Sequence, residues 1–189
     1  MSPDELRQRN RKIRAELSEA QQAFAAQSLF DNISRLSVYH EAQKIAVYYA
    51  VNGEISLIPL IEHAWKNGKH LYLPNLDQQS LRFSPYPEGQ KMRINKFRLP
   101  EPDVDDSEML QPEDLDLVLA PLVVFDEDRN RIGMGGGFYD RSFEFRKVSV
   151  SKAPVLVGVA HEVQKEARLV PESWDVKLDL VVTDKAIYD

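Results

Sequence analysis

Apolar residues along the chain recur first at helical spacing and then in strand-like runs. Ser2-Pro3-Asp4-Glu5 opens the first helix. Ser2 can cap, Pro3 suits the first helical position, and Glu5 stands where a capping box needs a carboxylate. Ser18-Glu19-Ala20-Gln21 repeats the signal. The spacing predicts helices over about 3–16 and 19–36, the second with an apolar stripe of Ala23, Phe24, Leu29, Phe30, Ile33 and Leu36. Lys44–Ala50 is a nearly continuous apolar run, as in a strand covered on both faces, and Asn52-Gly53 breaks it. A helix is predicted over 56–67, ending on the cap signal Asn67-Gly68, and a strand over His70–Pro74. A strand, a helix and a strand joined by short links imply a parallel pair.

Five prolines interrupt 75–114, which reads as irregular with one short strand at 81–84. Further strands are predicted over Leu115–Ala120, Val123–Phe125, Val155–Ala160 and Asp179–Thr183. Helices are predicted over about 138–147 and 161–168. The expected class is α/β: a three-layer α/β/α arrangement with a largely parallel or mixed central sheet and the N-terminal helices packed on it. A length of 189 residues fits one domain spanning 1–189.

Composition narrows the chemistry. Hydrophobic residues make up 43%, enough for a packed core and too many for a wholly disordered chain. The absence of cysteine excludes a disulfide scaffold, a thiolate zinc site and a cysteine nucleophile. No apolar run approaches the roughly 20 residues that span a bilayer, and residues 1–7 hold no secretory apolar segment. The expectation is a soluble cytoplasmic protein with no membrane partner. A net charge of −6 argues against bulk nucleic-acid binding. The acidic stretch 101–116 reads as a solvated loop.

Four of the eight glycines fall between residues 133 and 137, in Arg131-Ile132-Gly133-Met134-Gly135-Gly136-Gly137-Phe138-Tyr139-Asp140-Arg141. The segment follows a predicted strand and opens a predicted helix. Successive glycines let backbone N–H groups converge on one point, and a helix N-terminus adds positive potential, so an anion cradle suited to phosphate is one reading. A tight turn that allows close helix–sheet packing is the other. The spacing matches neither the dinucleotide fingerprint nor a Walker A loop. Asp140 follows directly and is a candidate Mg²⁺ ligand, since magnesium takes oxygen ligands and shares phosphates; it is equally a first-turn carboxylate. Arg7, Arg11 and Arg14 recur at i, i+4, i+7 on the first helix, either a solvated face or a second anion site. Trp174-Asp175 leads into the last strand, where it reads as a ligand or metal wall or as a plug with solvated acids.

These pieces, in this order, resemble the 5-formyltetrahydrofolate cyclo-ligase family. The likeness rests on Leu6-Arg7, Arg11 and Leu17-Ser18, on Asn52-Gly53-Glu54-Ile55, on Arg131–Arg141 and on Trp174–Thr183. It implies an ATP- and Mg²⁺-dependent cyclisation of 5-formyltetrahydrofolate to 5,10-methenyltetrahydrofolate, with ADP and phosphate released through a phosphorylated formyl intermediate. It implies ATP binding by Arg7, Arg131, Gly133, Met134, Gly135, Gly136, Gly137, Phe138 and Tyr139. Substrate binding is implied for Tyr49, Glu54, Met134, Gly135, Gly136, Gly137 and Phe138. Arg131 and Tyr139 take catalytic roles, and Asp140 and Asp175 serve Mg²⁺. Small-molecule substrates and a monomer follow. Family members often carry lysine where Pro3 and Gly136 stand here, and Arg9, Arg11 or Arg14 is expected to compensate. Two other classes bear on the same residues: a phosphosugar or acyl-CoA enzyme of similar fold, and a nucleotide- or folate-binding regulator without turnover.

Overall fold

The first two helices start where their serines place them. α1 (Pro3–Ala15) and α2 (Glu19–Ile33) each begin on a complete capping box, formed by Ser2 with Glu5 and by Ser18 with Gln21. The computed structural model describes residues 1–95, 100–149 and 153–189. α3 (Ser37–Glu41), β1 (Lys44–Ala46), α4 (Ile58–Lys66) and a hairpin of β2 (His70–Asp77) and β3 (Ser80–Pro85) follow. β4 (Met92–Ile94) pairs with β5 (Pro100–Pro102). Then come β6 (Leu117–Pro121), a ribbon of β7 (Val124–Phe125) and β8 (Arg131–Ile132), α5 (Phe138–Ser142), β9 (Val155–Val159), β10 (Leu180–Val182) and β11 (Ile187–Tyr188).

Among the described residues seven strands make one sheet in the order β11-β10-β9-β6-β1-β2-β3. β10, β9, β6, β1 and β2 are mutually parallel, and β11 and β3 close the edges antiparallel. Side chains alternate with the strand period of two. Ile45, Leu71, Leu117, Leu119 and Val157 face α2, α3 and α4, meeting Leu29, Ile33, Tyr39, Leu60 and Ala64. Ala46, Val118, Leu156 and Val181 face the other way, against Phe125, Phe143, Val176 and Leu178. The α/β class with a mixed sheet therefore holds. The second face is covered by α5, a 3-10 turn and loops rather than by long helices. α2 packs on the sheet, whereas α1 lies against β7 and the 3-10 turn at Glu162–Gln164.

Several boundaries differ from the sequence expectation, each for a local reason. The strand predicted to reach Ala50 leaves the ladder after Ala46, although Val47 and Tyr48 stay buried. Tyr48 Oη donates to the Ile55 carbonyl (2.6 Å), so the apolar run folds into a buried loop. α2 stops at Ile33, and the residues beyond turn into α3. The helix predicted over 138–147 is a five-residue α5 followed by a 3-10 turn at Glu144–Lys147, with the break at buried Phe143. Of the helix predicted over 161–168 one 3-10 turn forms, because the Gln164 amide is drawn inward to the Leu122 and Val123 carbonyls (2.8 Å each). The stretch 75–114 holds more strand than expected, with β2 running on to Asp77; its residues 96–99 lie outside the described residues. Within the acidic stretch, Asp116 is structural: its Oδ2 accepts N–H bonds from Gln43 and Lys44 (2.8 Å each).

From β1 the chain continues through α4 to β2 on one side, while from β6 it continues through α5 to β9 on the other. The strand order thus switches between β1 and β6. Loops diverging from such a point leave a crevice beyond the carboxyl ends of the strands, the usual ligand position in open α/β sheets. The segments after β1 (47–57) and after β6 (122–137) meet there. Among the described residues, no helix is long and apolar enough to cross a membrane.

Candidate functional site

The glycine run sits between β8 and α5. Gly135 (φ +98°) and Gly137 (φ +65°) occupy left-handed conformations that other residues adopt at a cost, and Gly137 is the N-cap of α5. A Cβ on Gly136 would lie 2.6 Å from the Phe138 ring. Gly133 has neither constraint. Arg7 reaches across from α1: Nε donates to the Gly133 carbonyl (2.8 Å), and Nη1 is 2.6 Å from Asp4 Oδ1. Met134 is exposed, with its sulfur 3.5 Å from Arg11 Nη2. Because α5 has only five residues, the positive potential at the loop comes from its amides and arginines more than from a helix dipole.

On the far side of the loop, the Arg131 guanidinium pairs with Asp140 and donates to the Val176 carbonyl. The Val176 N–H donates to Asp140 Oδ1 (3.0 Å). Of the two expected metal ligands, Asp140 is thus tied to Arg131 and Val176 and lines the adjoining cavity, whereas Asp175 is not among its lining residues. The Asp175 carboxylate itself accepts the Glu172 N–H (2.8 Å). A cavity of about 320 Å³ opens at this place, lined by Gly135, Gly136, Gly137, Asp140, Arg141, Glu144 and Trp174. Arg141 donates to the Gly136 carbonyl (2.7 Å) and lies over the Phe138 ring. No group of three or more metal-ligating side chains occurs among the described residues. One or two carboxylates beside a backbone cradle suit magnesium, which is held mainly by phosphate oxygens and water. The residues present therefore fit a phosphate-bound Mg²⁺ and do not fit a metal caged by protein alone.

The third part lies at the switch point. The Glu54 side chain is 8% exposed. Its Oε2 accepts the Val51 N–H (3.1 Å), and its Oε1 stands 3.7 Å from Arg14 Nη2. Burial raises the Glu54 pKa above the ordinary carboxylate value, against the Val51 hydrogen bond and the Arg14 and Arg11 charges, which lower it. Arg14 is wholly buried. Burial pushes the Tyr48 and Tyr139 phenols above their ordinary value, and the Glu54 charge acts in the same direction. Tyr139 also stacks on Phe143, at 6.2 Å between ring centres. Tyr49 is exposed and near enough to Tyr86 to act on it electrostatically, and Tyr86 packs on Trp65 at 5.1 Å.

The structure thus gathers Arg7, Arg131, Gly133–Gly137, Phe138, Tyr139 and Asp140 around one loop, while Glu54 lies against Arg14. Of the three basic residues expected to compensate for Pro3, Arg9 turns away to pair with Glu166, Arg14 is buried on Glu54, and Arg11 stays at the loop. Arg141, which flanks the loop in sequence and reads there as a phosphate contact or a surface pair, lines the cavity; Glu144 beside it carried no ligand signal. His161, buried with Nε2 3.2 Å from the Gly53 carbonyl, carried none.

Comparison with known proteins agrees with this geometry. The model of the 5-formyltetrahydrofolate cyclo-ligase family matches residues 2–184. The chain belongs to that family. A 5-formyltetrahydrofolate cyclo-ligase of Haemophilus influenzae is 38% identical over 182 residues, covering 94% of this chain and 96% of its own. The Escherichia coli K12 protein of the same name is 37% identical over 151 residues, covering 78% and 81%. The solution structure of Aquifex aeolicus 5,10-methenyltetrahydrofolate synthetase superposes with a TM-score of 0.84 at 29% identity, covering 99% of this chain and 92% of that one. This cyclo-ligase family member is therefore a ligase by kinship, with the α/β fold of its relatives.

Proposed function

We propose that the chain closes 5-formyltetrahydrofolate to 5,10-methenyltetrahydrofolate, using ATP and releasing ADP and phosphate. The observation that carries this reading is the pairing of two unlike sites at one switch point. A left-handed glycine loop with Arg7, Arg11 and Arg141 on it lies at one end, and the buried Glu54 carboxylate lies at the other. The loop amides of 133–139 with Arg7 and Arg131 bind the triphosphate, and Met134–Phe138 also border the reacting end of the folate. Glu54 accepts paired N–H donors from the reduced pterin, and the exposed Tyr49 also contacts the folate.

The formyl oxygen of the substrate attacks the γ-phosphorus, the bond to the ADP oxygen breaks, and ADP leaves. N10 then attacks the activated formyl carbon, the C–O bond breaks, phosphate departs and the N10 proton is lost. A formyl oxygen needs no deprotonation, so positioning and charge neutralisation carry the first step. Arg131 holds charge at the phosphates, while Tyr139, a neutral phenol on the first turn of α5, orients the formyl end. Asp140 and Asp175 would hold Mg²⁺, which when bound neutralises phosphate charge. The chain is taken to work as a monomer in the cytoplasm, and the absence of cysteine suits a reducing compartment.

The test is to mix the protein with ATP, Mg²⁺ and 5-formyltetrahydrofolate and follow methenyl absorbance. Product that requires ATP is expected. Binding of both ligands without product would leave a non-catalytic folate and nucleotide binder, and no product with no binding would remove the reading.

A further inference from the structure

The last turn of α1 carries a charged side chain that reaches no solvent. Arg14 is 0% exposed, and its guanidinium spans the two loops that meet at the switch point. Nε donates to the Asn52 carbonyl (2.9 Å), Nη1 to the Leu122 carbonyl (3.4 Å), and Nη2 faces Glu54 Oε1 at 3.7 Å. The turn it holds is left-handed at Asn52 (φ 51°) and Gly53 (φ 76°). That turn presses so closely on α1 that a Cβ on Gly53 would lie 3.0 Å from the Arg14 carbonyl oxygen. Gln22 of α2 donates to both the Gly53 carbonyl (3.2 Å) and the Arg14 carbonyl (3.3 Å). His161 Nε2 meets the Gly53 carbonyl from the other side (3.2 Å). The turn bearing Glu54 is therefore fastened from three elements.

One detail separates this from an ordinary buried ion pair. Glu54 Oε1 is within ion-pair range of Arg14 but beyond hydrogen-bond length, and Arg14 Nη2 makes no hydrogen bond among the described residues. A charged buried donor held just off its acceptor is costly unless something else gains. What is gained is a carboxylate oxygen that is oriented and charge-balanced yet still able to accept hydrogen bonds from a ligand.

We propose that Arg14 is the positioning residue for Glu54, holding its carboxylate and the 52–54 turn in the pose that receives the N–H edge of the folate's pterin. The inference rests on the folate reading of the site given above. Arg14 touches neither substrate in this arrangement; it acts through Glu54. Arg7, two turns earlier on the same helix, serves the nucleotide loop, so the two arginines divide the substrates between them.

A double-mutant cycle on the full chain tests it. Steady-state kinetics and calorimetric titration with 5-formyltetrahydrofolate and with ATP are measured for wild type, Arg14→Met, Glu54→Gln and the double variant. Arg14→Met is expected to raise the folate KM and Kd tenfold or more while ATP affinity stays within about twofold. In the Glu54→Gln background the same change is expected to add less than twofold. Arg14→Lys keeps the charge and loses the planar fork, so a partial return of folate affinity is expected. Equal losses with and without the Glu54 carboxylate would overturn the proposal, as would a loss shared equally by folate and ATP, the mark of a purely structural role. If Arg14→Met fails to fold, Arg14→Lys alone and combined with Glu54→Gln carries the same cycle. A wild type that binds folate but makes no product defeats the cyclo-ligase reading and leaves this inference to the binding titrations; a wild type that binds no folate defeats both.

Discussion

At the scale of single residues, Glu54 is the group whose protonation matters. Burial pushes its pKa up from the ordinary 4.5, and the Val51 N–H with the charges of Arg14 and Arg11 pulls it part of the way back. Burial keeps the Tyr48 and Tyr139 phenols neutral. A carboxylate accepts paired N–H donors, whereas a carboxylic acid offers one oxygen fewer for that purpose. Folate affinity should therefore fall as pH drops through the raised Glu54 pKa, with ATP affinity following no such limb. Glu54→Gln should weaken folate binding about tenfold, equivalent to about 1.4 kcal/mol, and abolish the acid limb of the folate titration. Stability runs the other way. The folded state holds this proton more tightly than the unfolded chain, so the group's contribution shrinks as pH rises from about 4.5 through the raised value. Melting temperatures taken across that window should show Glu54→Gln gaining on wild type with increasing pH. An acid limb that survives in the variant would assign it to another group.

At the scale of elements, the glycine loop divides sharply. Gly133 has open space around its missing Cβ, whereas Gly135 has φ +98° and its Cβ position lies 3.6 Å from the Arg7 guanidinium carbon. Gly133→Ala should leave ATP affinity within about twofold. Gly135→Val should lose tenfold or more with little change in melting temperature, because the residue is exposed and only the cradle is deformed. Equal behaviour of the two variants would deny the loop its role. The loop was legible in sequence because clustered glycines are a local signal, as were both capping boxes and the alternating strands. The site's other half was less so. Glu54 stood out only through family likeness, and the spacing that groups Arg14 with Arg7 and Arg11 gave no sign that Arg14 alone is wholly buried, since burial of one basic residue is decided by what packs over it. The same cause explains the missing helix after His161, where Gln164 serves the β6 loop instead of its own segment. Gly158, inside an apolar strand, is likewise a tertiary matter: a Cβ there would sit 2.6 Å from both Leu122 and Leu178. Tertiary demand, at each of these positions, overrides a propensity that is read over only a few neighbours.

At the scale of the whole molecule, α1 is a strut joining the nucleotide half of the site to the folate half. Arg7 leaves it toward the glycine loop, and Arg14 leaves it toward the 52–54 turn. The helix packs chiefly on β7 and on the 3-10 turn at Glu162–Gln164. It is seated by Leu6 on the Val123, Val124 and Leu169 cluster, and by Arg9 and Asn10 on Glu166. Glu166 bonds to the helix through these two residues, and among the described residues its side chain makes no hydrogen bond or ion pair to the glycine loop or to Glu54. Its removal should therefore act on both substrates together. A partly exposed ion pair with an added hydrogen bond contributes about 1 kcal/mol, so Glu166→Ala should weaken ATP and folate by similar factors of about threefold to tenfold. Arg7→Ala should weaken ATP alone. The three patterns are separable by titrating each ligand into each variant and comparing ratios of dissociation constants. A Glu166→Ala protein that lost only one ligand would mean that α1 is two independent platforms joined by chance in one helix. A common loss would mean that seating a single helix sets both halves of the site at once, so that phosphate and pterin are registered against each other before either arrives.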